Sequence, residues 1–204
     1  GERNNTPHFL AKGLAAKIRE INKTEKGLSA DAEFLLLIEG KTYGVPFGFC
    51  ISDKKDIPEV GDYFQAIGSG GKLAEDRYKS RELRLKEKNI PNLNLGYGLF
   101  LLLDALHFSI DHEESVGGFS QIYVLGKNKV FTFDYNQSVT ASAITRLMSQ
   151  GDPTIFRRGE GVEALEVLAN DENGLNVFRD TVLSKPRAVQ YLFFNHALQG
   201  LPRK

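Results

Sequence analysis

Gly61-Asp62-Tyr63-Phe64-Gln65-Ala66-Ile67-Gly68-Ser69-Gly70-Gly71-Lys72-Leu73-Ala74 is the stretch whose reading decides the fold. Tyr63, Phe64, Ala66 and Ile67 suit a strand, and a central strand can be apolar on both faces. Gly68-Ser69-Gly70-Gly71 then removes the Cβ atoms where the backbone must bend and where a helix start could press against a sheet. The residues from Lys72 to Lys88 are good helix formers without proline. The stretch therefore predicts a strand, a tight turn and a helix in immediate succession.

Downstream, Asn89–Asn94 with Pro91 reads as a linker, and Leu95–Asp111 as a second, largely buried helix carrying Leu99, Leu102, Leu103, Leu106 and Ile110. Gly96 and Gly98 near its start either weaken it or allow close packing. Glu113–Gly118 is a turn. Phe119–Leu125 and Val130–Tyr135, joined by Gly126–Lys129, form a hairpin. From Ser138 the pattern is helical, with segments at Ala141–Ser149, Gly161–Ala169, Leu175–Leu183 and Arg187–Leu198. This tail is expected to dock on the sheet domain or on a neighbouring subunit.

Upstream, Thr6-Pro7 is an N-cap followed by proline at the first helical position. Phe9, Leu10, Leu14, Ile18 and Ile21 continue at helical spacing. Glu33–Glu39 is a short apolar run that suits a buried strand. Val45–Ser52 alternates through Phe47, Phe49 and Ile51, with Pro46 near a strand start or edge. With the stretch before Gly68 as the third strand, the spacing predicts an antiparallel meander. The chain thus reads as α+β, with residues 1–137 as one domain and 138–204 as a helical C-terminal extension.

Lys plus Arg equals Asp plus Glu at 26 each, so no global field steers the chain toward nucleic acid or an anionic membrane. No apolar run approaches a membrane span, and the expected location is cytoplasmic. The single Cys50 excludes an intrachain disulfide and reads as a small core residue on its strand. Gly1 in place of a starting Met reads as a tag scar or the edge of a longer chain.

The glycine turn invites a phosphate-binding reading, with Gly68, Ser69, Gly70 and Gly71 presenting amides at a helix start. The phosphate-loop motif itself fails, since Ala66 stands where glycine is needed and Leu73 where a hydroxyl is needed. A nucleophile elbow around Ser69 would need glycine at Ile67. His107 and His112 are five apart, a spacing that does not stack ligands on one helix face. They read as solvated histidines at a helix end. The charged run Lys79–Lys88 reads as a solvated helix face. No metal and no cofactor is implied.

The order helix, meander, Ala66-Ile67-Gly68-Ser69-Gly70-Gly71-Lys72-Leu73-Ala74 corner, two helices, glycine turn and hairpin resembles that of proteasome β-subunits and their bacterial relatives. Val116-Gly117-Gly118-Phe119-Ser120-Gln121-Ile122-Tyr123-Val124-Leu125 resembles that family's Ser-Gly-Gly turn and the strand after it. The resemblance spans roughly residues 6–135. It implies an N-terminal-nucleophile (Ntn) hydrolase sandwich of antiparallel sheets between helical layers. It further implies peptide or amide hydrolysis by an N-terminal hydroxyl whose own amine serves as base.

By that resemblance Ser69 matches the supporting serine of the Gly-Ser-Gly corner. The family's Asp-x-x-Ser before Gly-Gly is altered. Aligning the glycines puts Glu113 on the aspartate and Val116 on the serine; a shift of one puts His112 and Ser115 there. Glu113 and Ser115 are the candidate supporting residues. The family's nucleophile strands would precede the first helix, so the nucleophile is expected outside these residues. The alternatives are a non-catalytic oligomeric scaffold of the same fold and an anion-binding module at Gly68–Lys72. Uncovered sheet edges would call for self-association, a second chain, or coverage by the C-terminal helices.

Overall fold

The computed structural model describes residues 12–17, 19–20, 34–39, 46–51, 59–60, 64, 66–87, 94–118, 120–125, 130–150, 158–170 and 173–185. They divide into two compact units, Gly1–Lys72 and Leu73–Lys204. The boundary expected at 137/138 lies instead within a helix of the second unit.

The first unit opens with a helical stretch, α1 (residues 12–17), in which Ala15 is fully buried. The remainder of the helix expected between Pro7 and Lys23 lies outside the described residues, apart from helical 19–20. A meander follows: β1 (Phe34–Glu39) pairs antiparallel with β2 (Pro46–Ile51), and β2 with β3 (Glu59–Val60). The register sets Phe34 opposite Ile51, Leu36 opposite Phe49 and Glu39 opposite Pro46. Pro46 thus occupies the first position of its strand, where its missing N–H costs the ladder least.

The third strand corrects the sequence reading. It is only two residues long and lies earlier, with Gly48 opposite Val60 and Phe49 opposite Glu59. Phe64, Ala66 and Ile67 are outside any strand. The glycine turn is as expected. Gly68 has φ +86°, a left-handed conformation that strains any residue with a Cβ, and its carbonyl accepts from the Gly71 N–H at 3.0 Å. A Cβ on Gly71 would lie 3.3 Å from the Ala66 carbonyl, so this helix start packs tightly against the chain that leads into it.

Helix α2 (Gly71–Glu87) leaves the turn, and the boundary between the units falls in its first turn. The second unit is built on α3 (Leu95–His112), whose Leu99, Phe100, Leu101, Leu103 and Ala105 are buried. Asn94 caps it, accepting from the Tyr97 N–H at 2.9 Å. The hairpin β4 (Tyr123–Leu125) and β5 (Val130–Thr132) is shorter than its pattern predicts, with Val124 opposite Phe131.

Helix α4 (Tyr135–Gln150) begins six residues before the expected Ala141. The reason is a reciprocal capping box. The Gln137 N–H donates to Asp134 Oδ1 at 2.7 Å, and the Asp134 N–H donates to Gln137 Oε1 at 3.0 Å. Helices α5 (Arg158–Asn170) and α6 (Gly174–Ser184) complete the unit; the segment expected over Arg187–Leu198 lies outside the described residues. Helices α4 and α5 pack on α3, and α6 packs on α4 and α5, around Ile144, Leu165, Leu168 and Phe178. The C-terminal helices therefore bury the apolar surface of α3, which is the docking partner they find within this chain. The described residues are α+β, mostly helical, with small antiparallel sheets. Among the described residues no helix is long and apolar enough to cross a membrane.

Candidate functional site

The residues singled out by sequence fall in two places. Ser69 is exposed on the glycine turn of the first unit, with Gly70 and Gly71 buried beside it. The Gly71 N–H is used within the turn, which removes one of the donors that an anion at this helix start would need. Glu113 and Ser115 lie in the second unit, at the C-terminal end of α3. There the Ser115 hydroxyl donates to Glu113 Oε1 at 2.8 Å, and the Val116 N–H donates to the Glu113 carbonyl at 3.0 Å. The two residues are therefore joined directly, although the two possible alignments would place them in different roles. Gly118, with φ +95°, ends this turn before the hairpin.

The structure adds a site that sequence reasoning missed. Asp104 stands in the middle of the apolar run of α3, and its side chain is 2% exposed. A lone buried carboxylate costs several kcal/mol, so it must be paired. Five donors meet it. Arg77 donates from Nε at 2.7 Å and from Nη2 at 3.2 Å, and Arg81 from Nε at 2.9 Å and Nη2 at 3.4 Å. The Ser149 hydroxyl of α4 donates to Oδ1 as well. Arg77 and Arg81 are one turn apart on α2, which is why both forks reach one acid. Burial alone would raise the Asp104 carboxyl, but the hydrogen bonds from Arg77, Ser149 and Arg81 outweigh it and hold it below the usual range.

One turn further along α3, His107 is buried, with no partner for Nδ1 among the described residues. This corrects the expectation that both histidines are solvated: His112 is exposed at the helix end, but His107 faces inward. Burial, then the Arg146 charge, lowers its pKa against the opposing pull of Asp111 and Asp104, so the ring is neutral at pH 7. The Arg77 guanidinium carbon sits 4.9 Å from the Phe108 ring centre, and Phe108 stacks on His112 at 4.0 Å. The His112 Nδ1–H donates to the Phe108 carbonyl at 2.8 Å, which fixes that ring. On the outer side, Arg146 Nη1 and Nη2 grip Asp111 at 3.2 and 3.1 Å, and this pairing lowers the Asp111 carboxyl.

These groups line a cavity of about 150 Å³, with Arg77, Asp104, His107, Phe108 and Ser149 within it and the exposed Asp111, Arg146 and Gln150 at its rim. Neither Glu113 nor Ser115 lines it. Among the described residues no group of three or more His, Cys, Asp or Glu side chains is placed to hold a metal ion. Two signals in the sequence point here: an acid inside an apolar helix, and an Arg pair four apart on the helix before it. The run Lys79–Lys88 is accordingly not solvent-facing throughout, because Arg81 leaves it to reach Asp104.

Comparison with protein-family models, with curated proteins and with solved structures finds no match for this chain.

Proposed function

We propose that the chain is part of a proteasome-like Ntn hydrolase, cleaving peptide or amide bonds with a nucleophile supplied from outside residues 1–204. The observation that carries this reading is the glycine corner. Gly68 is left-handed and follows an antiparallel meander in sequence, Ser69 is exposed at the start of α2, and Gly71 packs against Ala66, although Phe64, Ala66 and Ile67 lie outside any strand. The rest of the element order supports it: two helices, a second left-handed glycine at Gly118, and an antiparallel hairpin. In this reading Ser69 is a positioning residue that orients the nucleophile and its amine, without attacking the substrate itself.

The test is turnover of fluorogenic peptidyl amides by the protein isolated from its native source, compared with a Ser69→Ala form expressed in the same background. Ser69 is exposed, so its truncation opens no cavity in the core, and the melting temperature of both forms is measured alongside turnover. Loss of a positioning hydroxyl lowers kcat about 10- to 100-fold, with KM little changed. Ring-like association with no turnover by either form would instead assign the chain to a non-catalytic scaffold.

A further inference from the structure

The cavity between α2, α3 and α4 is independent of the glycine corner and is already furnished for a ligand. We infer that it is a binding site for a small monocarboxylate carrying a ring or branched apolar group. Three features lead there. The first is charge. Arg77 and Arg81 together face the single carboxylate of Asp104, while Arg146 and Asp111 cancel. The charged lining residues themselves balance, Arg77 and Arg146 against Asp104 and Asp111, and with His107 neutral the surplus positive charge is that of Arg81, which bonds Asp104 from outside the lining. A monoanion neutralises that surplus; a phosphate dianion would overshoot it beside two fixed carboxylates.

The second feature is donor supply. Arg77 uses Nε and Nη2 on Asp104, and Arg146 uses both Nη atoms on Asp111, which leaves Arg77 Nη1 and Arg146 Nε without a partner among the described residues. Two guanidinium N–H groups lining one cavity match the two oxygens of a carboxylate. Asp104, itself fixed by Arg81 and Ser149, holds Arg77 in place, and Phe108 lies beneath its guanidinium. The Arg77 donor is thus ordered before any ligand arrives, which lowers the entropic cost of binding.

The third feature is shape. Phe108 and His107 are among the residues that line the same cavity, and roughly 150 Å³ is enough space for a benzene-sized group.

Benzoate is the probe, titrated into the full chain by calorimetry and by NMR of the histidine rings, at constant ionic strength. Benzamide serves as the neutral isostere and inorganic phosphate as the dianion. Benzoate is expected to bind once per chain with Kd of about 1 mM or tighter. It shifts the His107 ring signals, assigned by their loss in His107→Asn. Benzamide and phosphate bind at least about tenfold more weakly. Two exposed rim variants should move affinity in opposite directions. Arg146→Gln removes a donor and weakens benzoate about tenfold, whereas Asp111→Asn releases Arg146, removes a negative charge and tightens it several-fold. The side chains of both residues are nearly half exposed, so neither change threatens the core. The inference is overturned if benzoate does not saturate a shift at His107, if phosphate or benzamide binds as well, or if the two rim variants change affinity in the same direction or not at all.

Discussion

Gly96 and Gly98 sit two residues apart in the first turn of α3, and substituting each by alanine should have opposite effects. A Cβ on Gly96 would lie 2.3 Å from the Val162 carbonyl oxygen, 3.0 Å from Glu166 Cβ and 3.1 Å from its backbone nitrogen. Two of these three atoms belong to the α5 backbone and cannot turn aside as a side chain would. Helices α3 and α5 must therefore separate by roughly 1 Å to restore normal contact, which loosens the packing around Leu165 and Leu168. Overpacking of this kind costs about 1–3 kcal/mol, at the upper end where the obstacle is backbone. The better helix propensity of alanine returns at most about 1 kcal/mol. The net loss for Gly96→Ala is about 2 kcal/mol. A Cβ on Gly98 would meet nothing within 4 Å, so Gly98→Ala keeps only the propensity gain and stabilises by about 0.5–1 kcal/mol.

The chain has no tryptophan, so the assay is urea unfolding followed by circular dichroism at a helical wavelength, which reports chiefly on the mostly helical second unit. With a slope of about 2 kcal/mol/M, the two midpoints should differ by about 1–1.5 M. If Gly96→Ala is as stable as Gly98→Ala, α3 and α5 do not approach as described, and the helical unit is built differently.

Asp104→Asn should cost about 2–4 kcal/mol in the same assay. Breaking a buried ion pair costs 3–5 kcal/mol, and the partial exposure of Arg77 and Arg81, 26% and 22%, reduces that range. A loss under 0.5 kcal/mol would show that the network is not formed. Gln137→Ala removes one arm of the capping box at α4 and also empties a fully buried site, so it should cost about 2–4 kcal/mol, more than the ~1 kcal/mol of an exposed cap, with the first turn of α4 losing protection in hydrogen exchange. Stability should also fall on acidification below pH ~6.5, because the unfolded chain protonates His107 there and the folded chain, whose His107 pKa is lowered by burial, does not. The His107→Asn variant should lack this loss. A second decline should set in as pH falls through the usual aspartate range, where the unfolded chain protonates Asp104 and the folded chain does not, and continue down to its depressed pKa; Asp104→Asn should lessen that one.

Local signals of the sequence carry the elements that depend on local chemistry. The bounds of α2 and α3 are set by the glycine turn and by Asn94, and both can be read from residue type alone. Pro46 marks the start of β2 for the same reason. The misreadings occur where tertiary pairing decides. Tyr63, Phe64 and Ile67 have strand propensity, yet β2 pairs with Glu59 and Val60, because pairing depends on the path back along the partner and propensity does not specify it. The start of α4 at Tyr135 was written in Asp134-Tyr135-Asn136-Gln137, a capping box hidden by the strand-like Phe131 and Phe133 just before it. Gly96 and Gly98 look alike in the sequence, and only the position of α5 separates a required glycine from a dispensable one.

The cavity depends on three helices at once, and no spacing rule links Asp104 to Arg77, Arg81 and Ser149. What the sequence does offer is the anomaly of an acid inside an apolar helix. That anomaly states that partners exist without naming them. His107 follows the same logic, since its inward direction is set by the packing of α4 on α3.

The intact mass and N-terminal sequence of the protein isolated from its native source, measured before and after reaction with a peptidyl electrophile, test the hydrolase reading most directly. The account predicts a mature chain that begins with Thr, Ser or Cys upstream of the residues described here and gains the mass of one electrophile at that residue. A mature chain that begins near Glu2 and gains no mass would contradict it.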